Sequence, residues 1–272
     1  MVAKTTNFTR AAETLNISQS ALSQRIAKLE EEIETTLFIR DRSSVRLTES
    51  GERVLRFCQI TDLAESELLS KLRGSKDELA GILKIAGFSS INRSIVIPAL
   101  KNIMIKNQRL SLQLMTRELN ELPKLLKNAE VDYILTDKKS DLSEVENIIL
   151  GYEEYVQVRS KKFPDSEIFL DHDENDRTTK AYFSQNKLSF KPKIIRYLDD
   201  VYGLIDGVKN GYGNAVLPLQ LVKNEKDIEI IDLKRVLKVV VYLQFYIQPY
   251  YRNMHSHFLT EIQSYFKQHL RQ

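Results

Sequence analysis

"NISQSALSQRIAKLEEEI", Asn16 to Ile33, is the stretch on which the reading of the fold turns. Its second half is plainly helical, yet it opens with serines and glutamines where a helix built only for packing would carry better helix formers. Ser18 is placed as an N-cap, and Leu22, Ile26, Leu29 and Ile33 recur at steps of four, three and four, which predicts one buried stripe. With that stripe inward, Ser20, Ser23, Gln24, Ala27 and Lys28 project to the opposite side, and Gln19 stands at the exposed start. No acidic residue joins that face before Glu31. Short hydroxyls and amides approach base edges closely, and a helix N-terminus favours phosphate, so the face suits a DNA major groove. An ordinary solvated face is the alternative, and this helix alone does not decide between them.

Working outward, Phe8, Ala11, Ala12 and Leu15 predict a short preceding helix with Asn7 as its cap, and Asn16 with Ile17 turns the chain. Two short helices joined by a tight turn suggest a helix-turn-helix. On the other side, "LFIRDRSSVRLTESG", Leu37 to Gly51, reads as two short strands around Asp41 to Ser44, with Arg40, Arg42 and Arg46 gathered nearby. Arginines on such a hairpin can hold phosphates and fix register without reading sequence, although a surface charge cluster has the same composition.

The unbroken run from Phe8 to Gly51 closely resembles the winged helix-turn-helix of LysR-type transcriptional regulators. The resemblance assigns base-edge contacts to Gln19, Ser20, Ser23 and Gln24, and backbone contacts to Ser18, Arg25, Arg40 and Arg46; Lys28 and Arg42 are candidates for the same DNA surface. Two departures stand out. Ser20 replaces a frequent proline, and Ser43 with Ser44 occupies positions that are often basic, which implies a looser grip by the wing. "MVAKTTNF" resembles only the end of the family's first helix, so Met1 is expected to be an internal start.

From Thr48 to about Leu72 there is no proline, and Val54, Leu55, Cys58, Leu68, Leu69 and Leu72 form partial apolar stripes. A long helix with an imperfect seam has little to bury against in a monomer, so pairing with its counterpart is expected, in agreement with the family's dimerising linker helix. Cys58 is expected to pack in that seam, and "RGSK", Arg73 to Lys76, to form a hinge. In the family such dimers commonly pair into tetramers.

Beyond the hinge, "GILKIAGF", "IVIPALKNIMI", "LSLQLM", "ELPKLLKN" and "VDYILTD" alternate strand and helix as βαβαβ. A second α/β set follows, including "YEEYVQV", a helix from Asp200 to Asn210 and "GYGNAVLP". A late strand around Val239 to Ile247 and an amphipathic helix carrying Phe258, Ile262, Phe266 and Leu270 close the chain. The whole resembles the family's two-lobed effector domain, with the architecture of periplasmic binding proteins. The expected organisation is a winged helix-turn-helix over residues 1–48, a linker helix and hinge over 49–76 and an α/β effector domain over 77–272, its second lobe at about 152–237. "GVKNGYG" follows a helix and precedes a strand, the reverse of a dinucleotide-binding turn, and so reads as helix termination.

In two-lobed α/β domains ligands bind at strand C-termini and helix N-termini. That places Ser89, Ser90 and Ile91, Thr136 and Asp137, and Asp199 and Asp200 as candidate effector residues, the first three able to hold a carboxylate through hydroxyls and amides. Asp200 stands where the family often has an anion-binding serine, and with Asp199 it disfavours a purely acidic effector. "IFLDHDENDRTTKAYF", Ile168 to Phe183, loosely resembles the family branch responding to lysine and arginine, so a basic amino acid is expected; plain helix capping by both aspartates remains the alternative.

The composition bounds the partners. Net charge is only +3, so a nucleic-acid footprint must come from local arrangement. One cysteine excludes an internal disulfide framework, and four histidines show no metal-ligand spacing, so neither metal nor cofactor is expected. Apolar runs such as "IVIPAL" and "VLKVVVYL" fall far short of the roughly 20 residues that span a bilayer, no signal peptide opens the chain, and a cytoplasmic protein without membrane contact is expected. No nucleophile elbow, Walker motif or HExxH points to an enzyme. The expected function is a transcriptional regulator binding double-stranded operator DNA under control of a small-molecule effector. A metabolite-binding protein or an enzyme on the two-lobed domain is the rival.

Overall fold

The computed structural model describes the chain apart from residues 41–44, 73–78, 165, 252 and 270–272. It divides into two compact units, Met1–Asp77 with Lys127–Glu130, and Glu78–Leu126 with Val131–Gln272. Among the described residues no helix is long and apolar enough to cross a membrane.

The first unit begins with α1 (Val2–Thr5), α2 (Phe8–Thr14) and α3 (Gln19–Glu32). Asn7 caps α2 by accepting the Arg10 N–H at 3.0 Å, and Ser18 caps α3 by accepting the Ala21 N–H at 3.1 Å. Between them Asn16 takes φ 54°, a left-handed conformation that a short amide side chain tolerates. Val2, Phe8, Ala11, Ala12 and Leu22 form the small core, with Ile17, Ile26, Phe38 and Val45 packed around it. The expected stripe on α3 is therefore buried only in its first half: Leu29 and Ile33 are 36% and 39% exposed. Leu22 and Ile26 are the residues of α3 that join this core.

Strands β1 (Phe38–Arg40) and β2 (Val45–Leu47) form the expected antiparallel hairpin, Phe38 opposite Leu47 and Arg40 opposite Val45. The Glu30 carboxylate at the end of α3 ties this hairpin down by accepting the Leu37 and Phe38 N–H groups at 2.6 and 3.1 Å. Helix α4 (Glu49–Leu72) follows at once, with the Gly51 N–H donated to the Thr48 hydroxyl at 3.0 Å. A Cβ at Gly51 would lie 2.1 Å from the Leu37 carbonyl oxygen, so glycine is what lets helix and hairpin approach. Cys58, Phe57, Leu68 and Leu69 of this helix are exposed within the single chain. The expected hinge at Arg73 to Lys76 lies outside the described residues.

The second unit runs β3 (Gly81–Gly87), α5 (Ser89–Ile91), a π-helical segment (Asn92–Val96), α6 (Ile97–Ala99), α7 (Lys101–Lys106), β4 (Leu110–Thr116), α8 (Leu122–Lys127) and β5 (Tyr133–Thr136). It continues with β6 (Val145–Ser160), β7 (Ile168–Asp171), α9 (Thr178–Gln185), β8 (Ile194–Tyr197), α10 (Val201–Lys209), β9 (Asn214–Pro218), α11 (Leu219–Val222), β10 (Ile228–Ile230), β11 (Leu237–Tyr246) and α12 (Asn253–His269). The strands form one mixed sheet in the order β4-β3-β5-β11-β6-β9-β7-β8, with β10 also on β6. Parallel strands β3, β4 and β5 make the first lobe and parallel strands β7, β8 and β9 the second. The long antiparallel pair β6 and β11 belongs to both lobes, and its register shifts between Val241 and Tyr242, where the sheet passes from one to the other.

Each lobe has its own core. Ile91, Ile95, Leu100, Phe258, Ile262 and Phe266 pack on Leu83, Ile85 and Leu135 in the first, and Leu204, Ile205 and Val208 pack on Val156, Val158 and Leu217 in the second. The apolar stripe of α12 is thus buried as its spacing predicted, apart from Leu270, which lies outside the described residues. The glycine run at the end of α10 is a helix stop: Gly211 takes φ 78°, its N–H donates to Val208, and the Tyr212 N–H donates to Gly207.

Candidate functional site

Two surfaces carry the residues singled out above. On α3, Ser18, Gln19, Ser20, Gln24, Arg25 and Lys28 are exposed and Ser23 is half-buried, so the polar face does turn to solvent. Its first turn is held in place by side chains, with the Gln19 amide donating to the Ser23 hydroxyl at 2.9 Å and the Ser18 and Ser20 hydroxyls 3.1 Å apart. Lys28 lies 3.8 Å from Glu32. On the hairpin, Arg46 is exposed, while Arg40 is held 3.6 Å from the Glu30 carboxylate and 4.5 Å above the Phe8 ring. Arg40 is thus anchored by contacts within the chain, and Arg42 lies outside the described residues.

The second surface is a cleft of about 700 Å³ between the two lobes. It forms where the strands end. Gly87 of β3 leads to Ser89 and Ser90, Thr116 of β4 to Arg117 and Glu118, and Thr136 of β5 to Asp137, all at the cleft wall. From the second lobe, β7 delivers His172, Asp173 and Asp176, and β8 delivers Asp199 and Asp200. Six of the seven expected effector residues are thereby brought together. Ile91 is the correction: its side chain is fully buried in the first lobe's core and does not line the cleft, because α5 turns it onto the sheet.

Asp200 is the N-cap of α10, its Oδ2 accepting the Tyr202 and Gly203 N–H groups at 3.1 Å each. Capping therefore accounts for that carboxylate oxygen without a ligand. Asp199 is exposed, with Oδ1 3.7 Å from His172 Nδ1, while His172 Nε2 lies 4.0 Å from Glu118 of the opposite lobe. A second bridge between lobes places the Arg93 guanidinium 3.7 Å from the Tyr202 ring centre. Asp137 carries a different signal, since its Oδ1 is buried with no hydrogen-bond partner.

The sequence reading missed the group behind this wall. Glu153 of β6 is 0% exposed. Its carboxylate accepts the Tyr155 hydroxyl at 2.7 Å, and it is also hydrogen-bonded by the Ser90 hydroxyl and the Gln220 amide. Burial pushes the Glu153 carboxyl up to about 7, against the pull of those three hydrogen bonds. Burial first, then the neighbouring Glu153 charge, holds the Tyr155 phenol well above its ordinary value. Ser90 and Tyr155 both line the cleft, so the buried carboxylate is one residue removed from any ligand. The available signal was period two along β6, which puts Glu153 and Tyr155 on the same face of a strand.

The comparisons with known proteins agree with this architecture. The family described as "Bacterial regulatory helix-turn-helix protein, lysR family" matches residues 1–52, and "LysR substrate binding domain" matches residues 76–263. The chain belongs to the LysR family. The regulator HdfR of Yersinia pestis is 30% identical over 155 residues, 56% of this chain and 51% of HdfR, so the chain spans about half the length of the curated relatives it matches. Among solved structures, ArgP of Mycobacterium tuberculosis shares the fold at TM-score 0.78 and 19% identity, covering 96% of this chain and 92% of ArgP. LysG of Corynebacterium glutamicum with bound effector Arg matches at TM-score 0.78 and 18% identity, covering 100% of this chain and 96% of LysG. DarR of Vibrio fischeri in complex with DNA matches at TM-score 0.55 and 20% identity, over 96% and 94% of the two chains.

Proposed function

We propose that this LysR-family chain is a transcriptional regulator that binds operator DNA through α3 and the β1–β2 hairpin and responds to a small cationic effector, a basic amino acid, held between the lobes. The observation that carries the effector half is the buried, unpartnered Asp137 oxygen in a cleft whose second-lobe wall adds Asp173, Asp176, Asp199 and Asp200. An acceptor buried without a donor costs about 1–3 kcal/mol, and a ligand ammonium or guanidinium would recover it. The opposite end of such a ligand, its carboxylate, would lie toward Ser89 in the first lobe. LysG, which shares the fold, carries arginine as effector, which supports the same ligand class here.

For the DNA half, the solvent-facing Gln19, Ser20, Ser23 and Gln24 would read base edges, while Ser18, Arg25, Lys28, Arg40 and Arg46 would hold phosphates. The exposed Phe57, Leu68 and Leu69 of α4 support dimerisation through that helix, with tetramers as the further assembly, and a cytoplasmic regulator is the setting this implies. Mapping the bound sites in the genome, then titrating one with the full chain with and without L-lysine or L-arginine, tests the proposal. Specific binding shifted by one of these ligands supports it; binding no tighter than to random DNA refutes it.

A further inference from the structure

Behind the cleft wall, Glu153 joins three elements: its own strand β6 through Tyr155, α5 through Ser90, and α11 through Gln220. The cleft wall that Ser90 and Tyr155 share carries Arg117, Lys138 and Lys139 as well as the carboxylates already named. Tyr202 of α10 feels the Glu153 charge and has Arg93 stacked on its ring, while Asp137 and Asp176 act on Tyr155. The described interactions of Glu153 are with hydroxyls and an amide, none of which neutralises its charge.

A hydroxyl has one proton to donate and two lone pairs to offer. While Glu153 is ionised it can only accept, so the hydroxyls of Ser90 and Tyr155 spend their protons on it and turn lone pairs toward the cleft. Uncompensated negative charge in a low-dielectric site adds a field that favours a cation. We infer that Glu153 is the specificity-determining residue of the cleft: its buried carboxylate makes Ser90 and Tyr155 into hydrogen-bond acceptors, selects an ammonium-bearing ligand over an anionic one, and couples binding to loss of its own proton. This rests on the cleft being the effector site. It also revises the expected role of Ser90, whose hydroxyl is committed to Glu153 and leaves Ser89 to meet a ligand carboxylate.

Proton balance gives the sign. A cation that requires the ionised carboxylate binds more tightly as pH rises through the Glu153 titration, and its binding releases a proton to the buffer. Protonated Glu153 remains satisfied in the folded protein, because the Gln220 amide can turn over and accept its O–H.

The test is calorimetry on the full chain with L-lysine, L-arginine and glutarate as probes, at pH 6 and pH 8 and in buffers of different ionisation enthalpy. The expected result is a basic amino acid bound about tenfold tighter at pH 8 than at pH 6, with proton release. That pH response should disappear in Glu153→Gln and persist in His172→Gln, which separates it from the imidazole at the cleft wall. In Tyr155→Phe, which removes one donor to the carboxylate, the midpoint of the response should move to higher pH; this variant keeps the assignment testable if Glu153→Gln does not fold. Binding of a basic amino acid with equal affinity at both pH values, or a pH response surviving in Glu153→Gln, would overturn the role of Glu153 while leaving the cleft as the effector site. Preferential glutarate binding would overturn the ligand class, and no binding by any probe would overturn the role of Glu153 and the effector reading together.

Discussion

The polar face of α3 and the polar wall at Glu153 solve opposite problems. On α3, Gln19, Ser20 and Gln24 are exposed to solvent, so their display costs the fold almost nothing. At Glu153 a carboxylate is held away from water with two hydroxyls and an amide, and its charge is paid for in stability. An exposed face of this kind can be generic, whereas the buried charge, on the role proposed for Glu153, is arranged in advance for one kind of partner.

The contrast is broken most sharply by removing the buried charge. In the unfolded chain Glu153 titrates near 4.5 and in the folded chain at about 7. Below the lower value both states are protonated and the group is neutral toward stability. Between the two the folded state holds the proton more tightly, so stability falls as pH rises, and above about 7 the full penalty is present. Glu153→Gln should therefore stabilise the protein at pH 8 by an amount on the order of 3 kcal/mol and leave it nearly unchanged at pH 4.5, read by chemical denaturation at each pH.

On the exposed side, a change in packing should act on the first unit alone. Gly51→Ala puts a methyl group against the Leu37 carbonyl and should destabilise the α4–hairpin junction by about 1–3 kcal/mol, seen as faster hydrogen exchange over Leu37 to Gly51. Gln24→Ala should leave stability alone and lose about 1–3 kcal/mol of discrimination between operator and mutated operator. Arg46→Ala should weaken binding to all sequences alike and flatten the salt dependence by about one phosphate contact. Asp200→Asn should also change stability little, because asparagine caps a helix as well as aspartate; a change within about 0.5 kcal/mol, with weaker binding of a basic amino acid, separates its charge from its cap.

What could be read in advance follows the same division. Asn7 and Ser18 announced their helices because a cap is a local event, and the strand-to-helix order placed Ser89, Asp137 and Asp199 at one cleft because strand ends converge in this topology. Leu29 and Ile33 were misjudged because periodicity reports which face is apolar and says nothing of what covers it. Ile91 opens a helix at the cleft yet packs its side chain in the core, since proximity to a helix start does not set side-chain direction. Glu153 escaped notice because an acidic residue in a strand ordinarily faces water, whereas here it is buried against Ser90 of α5 and Gln220 of α11.

The central claim is that a cationic ligand between the lobes controls DNA binding by the head. Fluorescence anisotropy of a labelled, genome-mapped site, titrated with the full chain at pH 8 in the presence and absence of saturating L-lysine or L-arginine, measures it directly. The account predicts binding at least about 10³-fold tighter than to random DNA, with an affinity that one of these amino acids changes severalfold. Equal affinity for specific and random DNA, or specific binding indifferent to both amino acids, would contradict it.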